Sequence, residues 1–310
     1  MSVASNIDKL KTSKIGAVGS GNYSEFEADG TLKFNGDATV WDDLLVNLSN
    51  ATGTGLQPAS NKEYMDSTGF PGASLGSSGV YLPHFATAQE EDLSWNLQMP
   101  HSWKVGNIVK PHIHWVYKTD STGDIRWGVE FGVASINGNY KTTCPASTHR
   151  ESAGTTKKIW FATDPLVRVY QQIVVSGAGG TGYTGDNSAN NATFTVLSWG
   201  VTLGEYWITY IGSASSTEAK TADTGKVVTG YTYRMEVQET QAANNAGKHV
   251  MSGFGDLEMD KFGISCCFVG RLYRVKNSGV SGGLNEEAVA NSFDFHFEKD
   301  TIGSRGVTSK

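Results

Sequence analysis

The stretch KPHIHWVYK, residues 110–118, holds two histidines one residue apart, His112 and His114. Side chains on a strand alternate between faces, so His112, His114 and Val116 share one face, and Ile113, Trp115 and Tyr117 take the other. Two imidazoles on one face at that spacing can hold a transition metal between them. A third histidine, His296, lies in FDFHFEKD, where Asp294, His296 and Glu298 form one row and Phe293, Phe295 and Phe297 the opposite one. It completes a site with His112 and His114 if the two strands are neighbours; otherwise the polar row reads as a charged cross-strand ladder. Trp103, in MPHSWKVG, falls in a turn between two strands, as a loop anchor or a contact to a partner.

The metal reading lacks a third ligand in sequence. GNIVKPHIH matches the opening G-x5-H-x-H of the cupin pattern, a jelly-roll fold. Cupins then place a glutamate three or four residues beyond the second histidine, whereas this chain continues WVYKTD, with Asp120 as the first carboxylate. His112 and His114 are therefore expected in an outward or intersubunit polar stripe, with no metal and no cofactor. Other chemistry has less support. No G-x-S-x-G elbow follows a strand, and GAGGTG at 177–182 lacks the Gly-Lys-Ser/Thr and helix of a phosphate loop. The carboxylate neighbours Glu90-Glu91 and Asp42-Asp43 diverge on a strand and cannot flank one scissile bond.

Bulk properties narrow the classes further. A chain of 310 residues buries about three quarters of its unfolded surface, enough for a large core without staples. Net charge -6 and a pI near 5.7, with basic residues scattered, argue against a nucleic-acid footprint. Cys144, Cys266 and Cys267 show neither a disulfide framework nor zinc spacing, so reduced thiols are expected. No signal-like apolar stretch opens the chain and no run of about eighteen apolar residues occurs, so a soluble protein made in the cytosol, without a membrane anchor, is expected.

The elements that must position these residues read as strands. Glycine is abundant at 37 and proline scarce at 7, and eight tryptophans and twelve tyrosines accompany them, a mixture suited to strands and tight turns. YSEFEADGTLKFNGDATVW carries Asp29-Gly30 and Asn35-Gly36, two hairpin signals. Residues 51–79 are rich in glycine, serine and threonine and read as an irregular connection. Alternating runs then recur from VYLPHF to NSFDFHFEKD, including LVRVYQQIVV, with an exposed loop at 177–191 and one weak helical signal, TEAKTADTGK. The expected fold is all-β, an antiparallel jelly-roll-like β-sandwich over residues 80–310, with an extended N-terminal hairpin and attachment region at 1–50. Most tryptophans, notably Trp95, Trp115, Trp127 and Trp160, fall on core faces.

Four stretches resemble a family of tailed-bacteriophage virion proteins. They are TLKFNGDATVWDDLLV at 31–46, MPHSWKVGNIVKPHIHWVYK at 99–118, GFGDLEMDKFGISCCFVGRLYR at 253–274 and FDFHFEKDTIGSR at 293–305. The resemblance implies a structural component of the particle, made in the host cytoplasm and located in the virion, and not an enzyme. The histidine pair belongs to the shared signature without an implied role. Such a component is a head fibre, a decoration protein or a tail-associated fibre, homo-oligomeric and by analogy trimeric, held to capsid or tail proteins through residues 1–50. The aromatic content and long loops suggest an alternative, a carbohydrate- or receptor-binding module for a host surface glycan. A cupin-like metal-binding protein on His112 and His114 is the remaining alternative.

Overall fold

The computed structural model describes residues 14–28, 30–46, 48, 63–65, 80–118, 120–176, 193–222, 227–284 and 287–303. At its start, β1 (Lys14–Ala17), β2 (Asn22–Phe26) and β3 (Leu32–Asn35) form a small antiparallel sheet. Gly30 stands at φ 84° in the turn between β2 and β3, a left-handed conformation that glycine adopts without strain. Asp29, the other half of that expected turn, lies outside the described residues. The second hairpin signal resolves differently: Asn35 precedes a 3-10 turn at Gly36–Ala38, and the chain departs as β4 (Val40–Val46). β4 pairs with the final strand of the molecule, placing Leu44 opposite Phe295 and Val46 opposite Phe293. Apolar partners across that ladder hold the strand more strongly than a turn signal could. Part of the expected attachment region is therefore an edge strand of the body.

β5 (Glu63–Met65) pairs with β6 (Val80–Leu82); the rest of the 51–79 connection and the loop expected at 177–191 lie outside the described residues. The body follows as β7 (His84–Phe85), β8 (Glu91–Gln98), β9 (Val109–Tyr117), β10 (Gly123–Ala134), β11 (Thr142–Thr143) and β12 (Ser147–Phe161). Next come β13 (Gln171–Ser176), β14 (Thr193–Thr195), β15 (Ser198–Thr202), β16 (Glu205–Ala222) and β17 (Val227–Gln241). β18 (His249–Gly253), β19 (Cys267–Arg274) and β20 (Ala288–Lys299) complete it. No α-helix occurs among the described residues, and no helix is long and apolar enough to cross a membrane. TEAKTADTGK, expected to start a helical turn, instead continues β16 as far as Ala222, where pairing with β12 overrides the local signal.

All ladders between named strands are antiparallel, and two sheets face each other as a β-sandwich. One is ordered β14-β13-β17-β10-β19-β8, with β11 on β17; the other is β18-β9-β20-β4, with β7 on β20. Their inner faces interdigitate through aromatic rings. Trp95 of β8 meets Phe293 and Phe295 of β20 at centroid distances of 5.2 and 5.6 Å, and Trp115 of β9 meets Trp127 of β10 at 5.8 Å. Such contacts contribute beyond the area they bury. A third sheet, β12-β16-β15, covers a second cluster that includes Ile159, Phe161, Ile173, Ile208 and Tyr210.

The period-two reading of the core holds. Ile113, Trp115 and Tyr117 are buried, as are Phe293, Phe295 and Phe297. Trp103 is also fully buried in this core, and its backbone bridges to Lys299, so it anchors a loop and is not a surface for a partner. Cys144 and Cys266 are buried, with burial pushing both thiols up to about 12, while Cys267 is exposed; none is in a disulfide. Adjacent cysteines thus diverge, as strand geometry requires.

Candidate functional site

Strand register assembles the site. β9 and β20 are direct neighbours, with His112 opposite Asp294 and Lys110 opposite His296. On the other flank of β9, β18 sets Met251 opposite His114 and His249 opposite Val116. Beyond β20, β4 sets Asp43 opposite His296. Residues directly opposite share a face, and diagonal neighbours two positions away remain within reach of an imidazole. His296, His112, His114 and His249 therefore form a diagonal row across three strands, on the face turned away from the aromatic core. Four of the seven histidines of the chain converge there.

The rings are closely packed. His112 lies 4.1 Å from His296 and 4.8 Å from His114, centroid to centroid, and His114 lies 4.8 Å from His249. Asp294 stands between the first strand's pair: its Oδ1 contacts His112 Nε2, and its Oδ2 is 3.5 Å from His114 Nε2. The far nitrogens have other neighbours. His112 Nδ1 is 3.4 Å from the Lys110 carbonyl, and His114 Nδ1 is 2.7 Å from His249 Nε2. His296 Nε2 pairs with Asp43 Oδ1 at 2.6 Å. The ligand atoms offered by His112, His114 and Asp294 all lie within 4.8 Å of one another.

Electrostatics divide the two central imidazoles. Burial works against a charge on His112, but the hydrogen-bonding and charge of Asp294 outweigh it, and its pKa is raised. For His114, burial and the neighbouring imidazoles outweigh the attraction of Asp294, and its pKa is lowered. The neutral ring is the form that ligates a metal. A groove of about 300 Å³ adjoins the row, lined by Lys110, His112, Met251, Asp256 and His296 among others.

Two expectations for these residues change. His112 and His114 lie on the face opposite Ile113, Trp115 and Tyr117, but His112 is only 4% exposed, so this part of the expected stripe is not open to solvent. Covering rings, rather than a second sheet, bury it. The missing carboxylate is supplied across the ladder by Asp294, so its distance in sequence from His114 is no obstacle. The polar row of β20 is a set of separate contacts: Asp294 with the histidine pair, His296 with Asp43, and Glu298 with Lys104 at 2.9 Å. His249 and Asp43 carry no signal on their own; HVMSG is too short and polar to announce a strand, and only the register brings its histidine in.

A second polar cluster lies around Arg168, where a strand is expected over 166–175. The strand starts only at Gln171, because Leu166 and Tyr170 adopt φ of 57° and 69°. Arg168 donates to both carboxylate oxygens of Asp164, at 3.0 and 2.9 Å, to Asp260, at 2.6 and 2.9 Å, and to its neighbour's carbonyl at 3.1 Å. Its guanidinium also lies 4.0 Å from the ring centroid of Trp199. Burial opposes this charge, and the two aspartates reverse the balance, so the pKa is raised.

Among the described residues the remaining motifs form no site. Asp42 pairs with Lys299 at 2.8 Å on the opposite face from Asp43, and Glu90 pairs with Arg271 at 2.8 Å. GVSGG at 279–283 fits the letters of a serine elbow, but Ser281 is exposed in a turn after the 3-10 segment Asn277–Gly279. Comparison with known proteins finds no matching family model, no matching curated protein and no matching solved structure.

Proposed function

We propose that this chain is a virion structural protein of a tailed bacteriophage, a homo-oligomeric head fibre, decoration or tail-associated fibre component. One observation carries the reading: of the four stretches that resemble such proteins, scattered from residue 31 to residue 305, three supply neighbouring strands of one sheet and the fourth bridges to it through Leu257. They supply β3, β4, β9, β19 and most of β20; β4 pairs with β20 and β20 with β9, while β3 and β19 belong to two other sheets. Isolated bridges join Lys33 to Thr301, Trp103 to Lys299 and Val109 to Leu257. Stretches that pack together resemble a folded unit rather than unrelated segments.

The same sheet offers an assembly edge. β4 ends the sheet order, and its Val40, Trp41 and Leu45 are 46%, 52% and 62% exposed. An apolar edge strand left bare invites pairing with another copy, which symmetric oligomers exploit. The glycan-binding alternative draws less support, since Trp41 alone of the eight tryptophans is exposed. Mass spectrometry of purified particles tests the proposal: the protein is expected at a fixed stoichiometry, with native mass measurement of the recombinant chain giving a closed oligomer, trimer first. Absence from the particles overturns it.

A further inference from the structure

We infer that His112, His114 and Asp294 form a binding site for one divalent first-row transition metal ion, with zinc as its probe. This inference stands independently of the virion reading, because it rests on the placement of these three side chains and their neighbours.

The first support is convergence. Three donor atoms lie within 4.8 Å of one another, whereas a tetrahedral zinc site with bonds of about 2.0 Å sets its ligand atoms about 3.3 Å apart. The backbone already places them: His112 faces Asp294 across a ladder and His114 is the next residue on that face. The second support is orientation. Lys110 O and His249 Nε2 occupy the Nδ1 sides of His112 and His114, and both Nε2 atoms are directed at Asp294. Outer partners on the far nitrogen are the usual means of holding a ligating imidazole in place.

The third support is burial. His112 Nε2 and Asp294 Oδ1 are in contact with each other, and the two residues are 4% and 7% exposed, so a cation bound there is shielded from water. Imidazole nitrogen with one carboxylate selects zinc, nickel, copper or cobalt over magnesium and calcium, which prefer all-oxygen shells.

Isothermal titration of the untagged 310-residue chain, stripped with chelator, decides the matter with zinc chloride as the probe and magnesium chloride as the control. Saturable binding of a single zinc ion per chain, and no response to magnesium, is expected. His112→Ala and Asp294→Asn should each weaken it by more than about tenfold, the least that loss of a supporting group costs such a site. His149→Ala, which alters an imidazole on the distant β12/β16 pair, should leave it unchanged. Should His112→Ala fail to melt cooperatively, His114→Gln carries the test, because that side chain is 21% exposed and tolerates exchange. Absence of saturable zinc binding by the wild type, or equal binding by the folded site variants, overturns the inference.

Discussion

Arg168 directs all five of its N–H groups to protein oxygens, whereas Asp294 is shared between two imidazoles, in contact with His112 and 3.5 Å from His114. Both clusters bury polar groups beside a β-sandwich core. Around Arg168 a permanent cation meets two carboxylates in bidentate geometry, and nothing further is needed to satisfy it. On the outer sheet face four imidazoles meet two carboxylates. A closed cluster of the first kind fixes structure. An open one of the second kind is suited to a ligand.

Removing Arg168 should separate the two most strongly. Arg168→Ala leaves Asp164 and Asp260 without their cation, and a loss of about 3 kcal/mol in urea unfolding is expected, toward the low end for buried pairs because both carboxylates are partly hydrated. A loss below about 1 kcal/mol would mean that the cluster is ornamental. Zinc supplies the next largest effect: at a hundred times its dissociation constant it should stabilise the wild type by about 2.7 kcal/mol, and Arg168→Ala by the same amount, but not Asp294→Asn. Equal stabilisation of all three would place the ion elsewhere.

Lys261 gives a smaller, pH-dependent contrast. Burial and the charge of Arg168 lower its pKa to about 7, against the pull of Asp260 and Asp164. Below pH 7 both folded and unfolded chains carry the proton; between about 7 and 10.5 only the unfolded chain does, so stability rises with pH across that window. Its Nζ also donates to the Leu166 carbonyl and to Gln171 Oε1, and the side chain keeps some solvent contact, so a gain of about 1–2 kcal/mol is expected. Lys261→Met should flatten the slope; an unchanged slope assigns it to other groups. Smallest of all, Asp256→Ala breaks an exposed pair with Lys110 at 3.5 Å and should cost less than about 0.5 kcal/mol, whatever its position beside the groove.

Much of the fold is legible wherever one rule suffices. Alternation alone identifies the buried faces of β9 and β20, since aromatic and aliphatic side chains at every second position have only one face to enter. It fails where pairing decides: Asn35-Gly36 suggests a hairpin, but β4 finds better partners on β20, and TEAKTADTGK follows β12 despite its weak helical signal. The site is less legible for the same reason. His112 and His114 announce themselves by spacing, while Asp294, His249 and Asp43 join them only through strand order and register, which local residue patterns do not encode. For Trp103 local pattern leaves two readings open, and burial selects the loop anchor, because a residue in a turn can still point into the core.

X-ray absorption at the zinc edge of the loaded protein reads the ligand set itself. A shell of nitrogen and oxygen at about 2.0–2.1 Å, with imidazole scattering that diminishes in His114→Gln, is the expected result. Sulfur scattering at about 2.3 Å, pointing to the exposed Cys267, or the spectrum of a fully hydrated ion, would contradict a metal site formed where β9 meets β20.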